Sequence, residues 1–133
     1  MTETAHEDRR EGTKVVFAVT QRKLQDALVL AIEGELDLAS APSLKWELAE
    51  ALAAGPRYTI VDLAGVSFID STALGVLVSA RRGLAHDARL VLCSARADVL
   101  AVFELTGLDS TFEIVPSLED ALRVVRDGGG APG

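Results

Sequence analysis

Residues 58–78 read Tyr-Thr-Ile-Val-Asp-Leu-Ala-Gly-Val-Ser-Phe-Ile-Asp-Ser-Thr-Ala-Leu-Gly-Val-Leu-Val, an apolar strand and loop that give way to an apolar helix across the polar junction Asp70, Ser71, Thr72. The consecutive apolar pair Ile60 and Val61 is the mark of a strand covered on both faces, and so of a central strand over 58–63. Ala73, Val76, Leu77, Ala80 and Leu84 recur at helical spacing, which predicts a helix over about 71–84 with that stripe against the sheet. A doubly covered strand feeding a helix is the unit of an α/β fold with parallel crossovers.

The flanking segments extend this unit. Two β-prone stretches, 15–20 and 27–34, enclose the polar stretch 21–26 and predict an antiparallel hairpin at the start of the fold. Pro42 just after Ser40 signals a helix start, and Leu44, Leu48, Ala51 and Leu52 recur on one face until Gly55 and Pro56 end it. A short strand at 90–92 precedes a third helix that Ser94 can cap and Gly107 can end, with Leu108 packing back on Phe103. A last strand at 111–115 leads to a helix capped by Ser117, with Leu118, Ala121, Leu122 and Val125 inward. The expected class is α/β: a mixed, mainly parallel sheet of about five strands, about four helices and an N-terminal antiparallel hairpin. Within the 133 residues, 14–126 form one domain, 1–13 a disordered, solvated tail of mixed charge, and 127–133 a flexible Gly-rich tail.

Charge and cysteine content narrow the function. A net charge of −7 opposes any sequence-independent grip on nucleic acid, so no direct nucleic-acid partner is expected. No apolar run approaches the roughly twenty residues that cross a bilayer, which sets membrane insertion aside. The single Cys93 cannot form an internal disulfide, and the polar opening residues hold no charged-then-apolar leader, so a cytoplasmic protein is expected.

The junction itself carries chemistry. With Asp70 as N-cap, Ile69 and Leu74 fall at the two positions of a hydrophobic staple; with Ser71 as cap, Asp70 and Gly75 would fall there and the staple would be lost. Asp70 is therefore the cap, its carboxylate accepting from the N–H of Thr72 or Ala73. The Ser71 hydroxyl is then left at the first helical position without an obligatory partner. That makes it the better phosphoacceptor, and a helix start tolerates the added negative charge.

The pattern running from Asp62 through Val66, Phe68, Ile69, Asp70, Ser71 and Thr72 to Gly75 resembles the signature of the STAS domain, and within that family the bacterial anti-sigma factor antagonists. Gly-Glu-Leu-Asp at 34–37 and the order of elements extend the likeness over about 15–126. The resemblance implies that Ser71 is phosphorylated by a partner that is both anti-sigma factor and serine/threonine kinase. It implies a serine phosphatase that resets the site, and partner switching in transcription regulation. The unmodified form would bind the anti-sigma factor and free a sigma factor; the phosphorylated form would let go through local clash and repulsion. The alternative is a structural or sensory STAS domain in a larger signalling assembly, never phosphorylated. Ala73 departs from the Gly that many members carry, which stiffens the helix start by up to about 1 kcal/mol.

The candidate partner-binding residues are Asp37, Asp70, Ser71, Thr72, Leu74 and Val78. Leu74 and Val78 lie off the inward stripe and either present an apolar patch beside Ser71 or lie buried under the adjacent loop. Asp37 either positions the loop near Ser71 or caps it. Trp46, off the stripe of the first helix, either folds over that helix or meets a partner. Cys93 reads as an inert core thiol, and His6 and His86 as solvated, so neither cofactor nor metal is expected. No Gly-x-Ser-x-Gly elbow or phosphate-cradling Gly loop supports an enzyme, and the absence of Lys after Lys45 disfavours a response-regulator receiver.

Overall fold

The computed structural model describes residues 2–10 and 13–130, with side chains over 17–128. Strands β1 (Thr2–Arg10), β2 (Thr13–Leu24), β3 (Ala27–Leu36), β4 (Tyr58–Ile69), β5 (Arg89–Cys93) and β6 (Glu113–Val115) form a single six-stranded sheet in sequence order. The β1–β2 and β2–β3 pairings are antiparallel, and every later pairing is parallel. Helices α1 (Ala41–Ala53), α2 (Ser71–Arg82), α3 (Ala97–Leu105) and α4 (Leu118–Gly130) complete the α/β fold that the sequence predicts.

The sheet separates two apolar clusters. Leu44 and Leu48 of α1, Ala73, Leu74 and Leu77 of α2, and Val99 and Phe103 of α3 pack with Leu30, Ile32, Val61, Leu63 and Leu92 on one face. Ala121 and Val125 of α4 cover Val29, Tyr58, Ile60, Val91 and Cys93 on the other. Each fully buried Leu, Ile or Val contributes roughly 1.5–3 kcal/mol to this arrangement.

Several local readings change. β1 lies over residues taken from the sequence as a solvated tail; its pairing with β2 uses backbone groups, and a charged edge strand is compatible with that. The stretch 21–26 is strand as far as Leu24, and the hairpin closes on two residues with Gln25 at φ 57. Ser94 does not cap α3: it takes a left-handed φ of 63, and Arg96 stands at the N-cap. Helix α4 extends to Gly130, past the expected boundary at 127, and the rest of that Gly-rich tail, 131–133, lies outside the described residues. The Ser117 cap holds, its Oγ accepting from the Asp120 N–H at 3.1 Å, and Gly107 follows α3 at φ 76.

β4 is six residues longer than the predicted 58–63 because it carries two bulges. The β3 partners Ala31, Glu33, Gly34 and Glu35 face Asp62, Gly65, Val66 and Phe68, so β4 twice spends an extra residue. An extra residue restores the inward direction after three steps instead of two, which is why Leu63, Val66 and Ile69 all reach the same core. Gly65 sits at the first bulge, where a Cβ would come within 2.7 Å of Glu33 Cγ and 3.0 Å of the Ile32 carbonyl oxygen. The bulges carry the strand to Ile69 and deliver Asp70 to the start of α2.

Candidate functional site

Asp70 leaves β4 with extended backbone (φ −114, ψ 179) and caps α2 as the staple argument requires. The Ala73 N–H donates to Asp70 Oδ1 at 3.1 Å, satisfying one of the orphan donors of the first turn. Ile69 and Leu74, the two staple residues, are both buried in the core shared with α1 and α3. The second carboxylate oxygen does a different job: the Leu38 N–H donates to Asp70 Oδ2 at 3.1 Å, from 32 residues away. The Asp70 N–H in turn donates to the Leu36 carbonyl at 2.9 Å. One side chain thus fastens the start of α2 to the loop between β3 and α1.

That loop is closed on itself. The Asp37 N–H donates to Ser40 Oγ at 3.0 Å, the Ser40 N–H returns a bond to Asp37 Oδ1 at 3.0 Å, and the Ser40 hydroxyl donates to the Glu35 carbonyl at 2.7 Å. Asp37 therefore caps the loop. Since the same loop is tied to Asp70 through Leu38, it also holds the loop beside Ser71.

At the junction so fixed, Ser71 and Thr72 are exposed, and neither side chain takes part in a hydrogen bond among the described residues. Their hydroxyls stand at the positive end of α2. Leu74 does not line this surface. It lies in the core, because Ile69 and the neighbouring helices widen the buried arc of α2 beyond the predicted stripe. Val78 is half-buried and packs against the same cluster. The apolar groups that do reach solvent here are Leu38, 72% exposed, and Phe68, 48% exposed. Neither was singled out from the sequence: Leu38 sits in a short polar loop, and Phe68 falls in the stretch read as a loop after the strand over 58–63.

Burial pushes the Cys93 thiol up to about 11, which keeps it protonated and inert. His86 is exposed. Trp46 is 56% exposed on α1. Among the described residues no group of three or more His, Cys, Asp or Glu side chains is arranged to hold a metal ion, and no helix is long and apolar enough to cross a membrane.

The sequence pattern of the STAS domain matches residues 18–121. The chain belongs to the STAS domain family. It is 32% identical over 112 residues to the anti-sigma-F factor antagonist RsfB of Mycobacterium tuberculosis, a match that spans 84% of this chain and 92% of RsfB. It is 34% identical over 90 residues to the anti-sigma-B factor antagonist of Listeria monocytogenes, across 67% of this chain and 79% of that protein. The crystal structure of an anti-sigma factor antagonist from Mycobacterium paratuberculosis superposes with a TM-score of 0.79 at 30% identity, covering 84% of this chain and 95% of that one. The matched stretch 18–121 includes β3, β4 and the Asp70 junction at the start of α2.

Proposed function

We propose that this STAS domain protein is a cytoplasmic anti-sigma factor antagonist controlled by phosphorylation of Ser71. The unmodified form binds an anti-sigma factor that is also a serine/threonine kinase and thereby releases a sigma factor. The phosphorylated form does not bind, and a serine phosphatase restores it. The protein is a substrate and a binding module in this cycle, not a catalyst.

One observation supports the reading: an exposed Ser71 hydroxyl with no hydrogen-bond partner among the described residues, at a helix start that Asp70 already caps. A phosphate there adds about −1.5 to −2 charges, and the helix dipole favours such charge by typically 0.3–1 kcal/mol. The fold therefore tolerates the modification, and the switch acts at the partner surface. Docking would desolvate the phosphate together with the neighbouring Asp70 carboxylate, and uncompensated buried charge is strongly disfavoured. Asp70, Asp37, Thr72 and the part-buried Val78 belong to that surface or support it; Leu74 supports it from inside.

The test is calorimetric titration of unmodified protein and Ser71→Asp with the cognate anti-sigma factor, alongside release of the sigma factor. The expected result is tight binding and release by the unmodified protein and a large loss of both for Ser71→Asp. Unchanged affinity for Ser71→Asp, with the wild type still accepted by the kinase, would show that charge at Ser71 is not the switch.

A further inference from the structure

We infer that Leu38 and Phe68 are the apolar anchors with which the Ser71 surface seats its partner, and that the partner presents an apolar centre inside a rim of Lys and Arg. This inference rests on the functional reading above and names the chemistry of the face that it requires.

Scattered single exposed apolar residues need no explanation, but these two are each joined to Asp70. Leu38 is fixed by its N–H bond to Asp70 Oδ2, and Phe68 lies two residues before Asp70 on the same β4 end. Both are thereby attached to the residue that caps the helix bearing Ser71. The β3–β4 register sets Glu35 opposite Phe68 and Leu36 opposite Ile69. Helix α4 covers β3 and β4 only at Ala27, Val29, Tyr58 and Ile60, so Phe68 lies beyond the cover of that helix. Loop 37–40 and the bulged strand are closed by their own hydrogen bonds, so docking orders little.

Among the described side chains of loop 37–40 and of the ends of β3 and β4, the charge has one sign. Residues 33–44 and 58–80 contain no Lys or Arg, whereas Glu33, Glu35, Asp37 and Asp70 stand on the two strand ends and the loop. The first cation on the neighbouring loop is Arg96, after β5. A basic rim on the partner is the complement of this face and would speed its arrival. Phosphate on Ser71 then does not release the partner by long-range repulsion. It acts at close range, where a solvated dianion beside Leu38 and Phe68 prevents the apolar centre from seating, so dissociation accelerates while association persists.

The experiment titrates the purified anti-sigma factors of the source organism against full-length protein and its Leu38→Ser, Phe68→Ser and Leu105→Ser variants, with association and dissociation rates followed at low and high salt. Leu105, 87% exposed on α3, is the control for loss of a surface apolar group. The expected result is a loss of about tenfold or more for Leu38→Ser and for Phe68→Ser, carried by dissociation, none for Leu105→Ser, and wild-type association that slows with salt. All four proteins should unfold at the same denaturant concentration. Wild-type binding with both anchor variants within twofold of it, or an equal loss for Leu105→Ser, would overturn the anchors and leave the functional reading standing. Association that is indifferent to salt would overturn the basic rim. Failure of every anti-sigma factor to bind the wild type would overturn both the anchors and the functional reading.

Discussion

Ser40 and Ser71 stand at the starts of two helices that leave neighbouring parallel strands of the same sheet, yet they are in opposite states. Ser40 is 7% exposed, and its hydroxyl accepts from Asp37 and donates to Glu35. Ser71 is exposed and its hydroxyl is unengaged among the described residues. The difference lies in what occupies each hydroxyl: that of Ser40 makes no side-chain cap bond to α1 and is taken up by the loop before it. At α1 the serine is itself the N-cap residue and is absorbed into the loop; at α2 the preceding Asp70 takes the cap and leaves the serine to solvent. A hydroxyl at a helix start becomes available for chemistry only when another group has already satisfied the backbone.

The sharpest separation of fold from function in this pair should come from Leu74, which holds the start of α2 from inside. Leu74→Ala is expected to cost about 2–5 kcal/mol in urea unfolding, with affinity for an anti-sigma factor preserved at temperatures where the variant is folded. A surface Leu would lose affinity instead of stability.

Asp70→Ala removes both the cap and the tie to Leu38, and a loss of about 2 kcal/mol is expected from chemical denaturation. Asp70→Asn keeps a single carbonyl acceptor for two N–H donors and should recover about half of it. Ser40→Ala comes next. Its buried bonds to Asp37 and Glu35 put the loss at roughly 1–2 kcal/mol, with phosphorylation at Ser71 unaffected once the protein is folded. Equal stability of Ser40→Ala and wild type would break the contrast drawn between the two serines. The smallest effect on stability belongs to Ser71→Ala, expected within about 0.5 kcal/mol of wild type by the same measurement. A larger loss would mean that the Ser71 hydroxyl is engaged in the fold after all.

Much of this contrast was legible in the chain. The staple pair Ile69 and Leu74 identifies Asp70 as the cap from the sequence, because only that register places apolar residues at both staple positions. Helix and strand order followed from local periodicity and from Pro42, Gly55 and Gly107. What escaped depends on partners distant in sequence or on register. The Asp70 bond to Leu38 spans 32 residues. The exposure of Phe68 follows from a strand that runs on past the cover of α4, and the burial of Leu74 from the width of the arc that α2 shares with its neighbours. β1 escaped for a related reason: its pairing with β2 is made by the backbone, and its polar side chains give no apolar alternation to read.

The central claim, that Ser71 and not Ser40 or Thr72 is the switch, is tested most directly by intact-mass and site-mapping spectrometry after incubation with ATP and the cognate anti-sigma factor kinase. The account predicts a single phosphate, on Ser71, absent from Ser71→Ala and present in Ser40→Ala. A phosphate mapped to Thr72 or elsewhere, or none from a kinase that binds the unmodified protein, would contradict it.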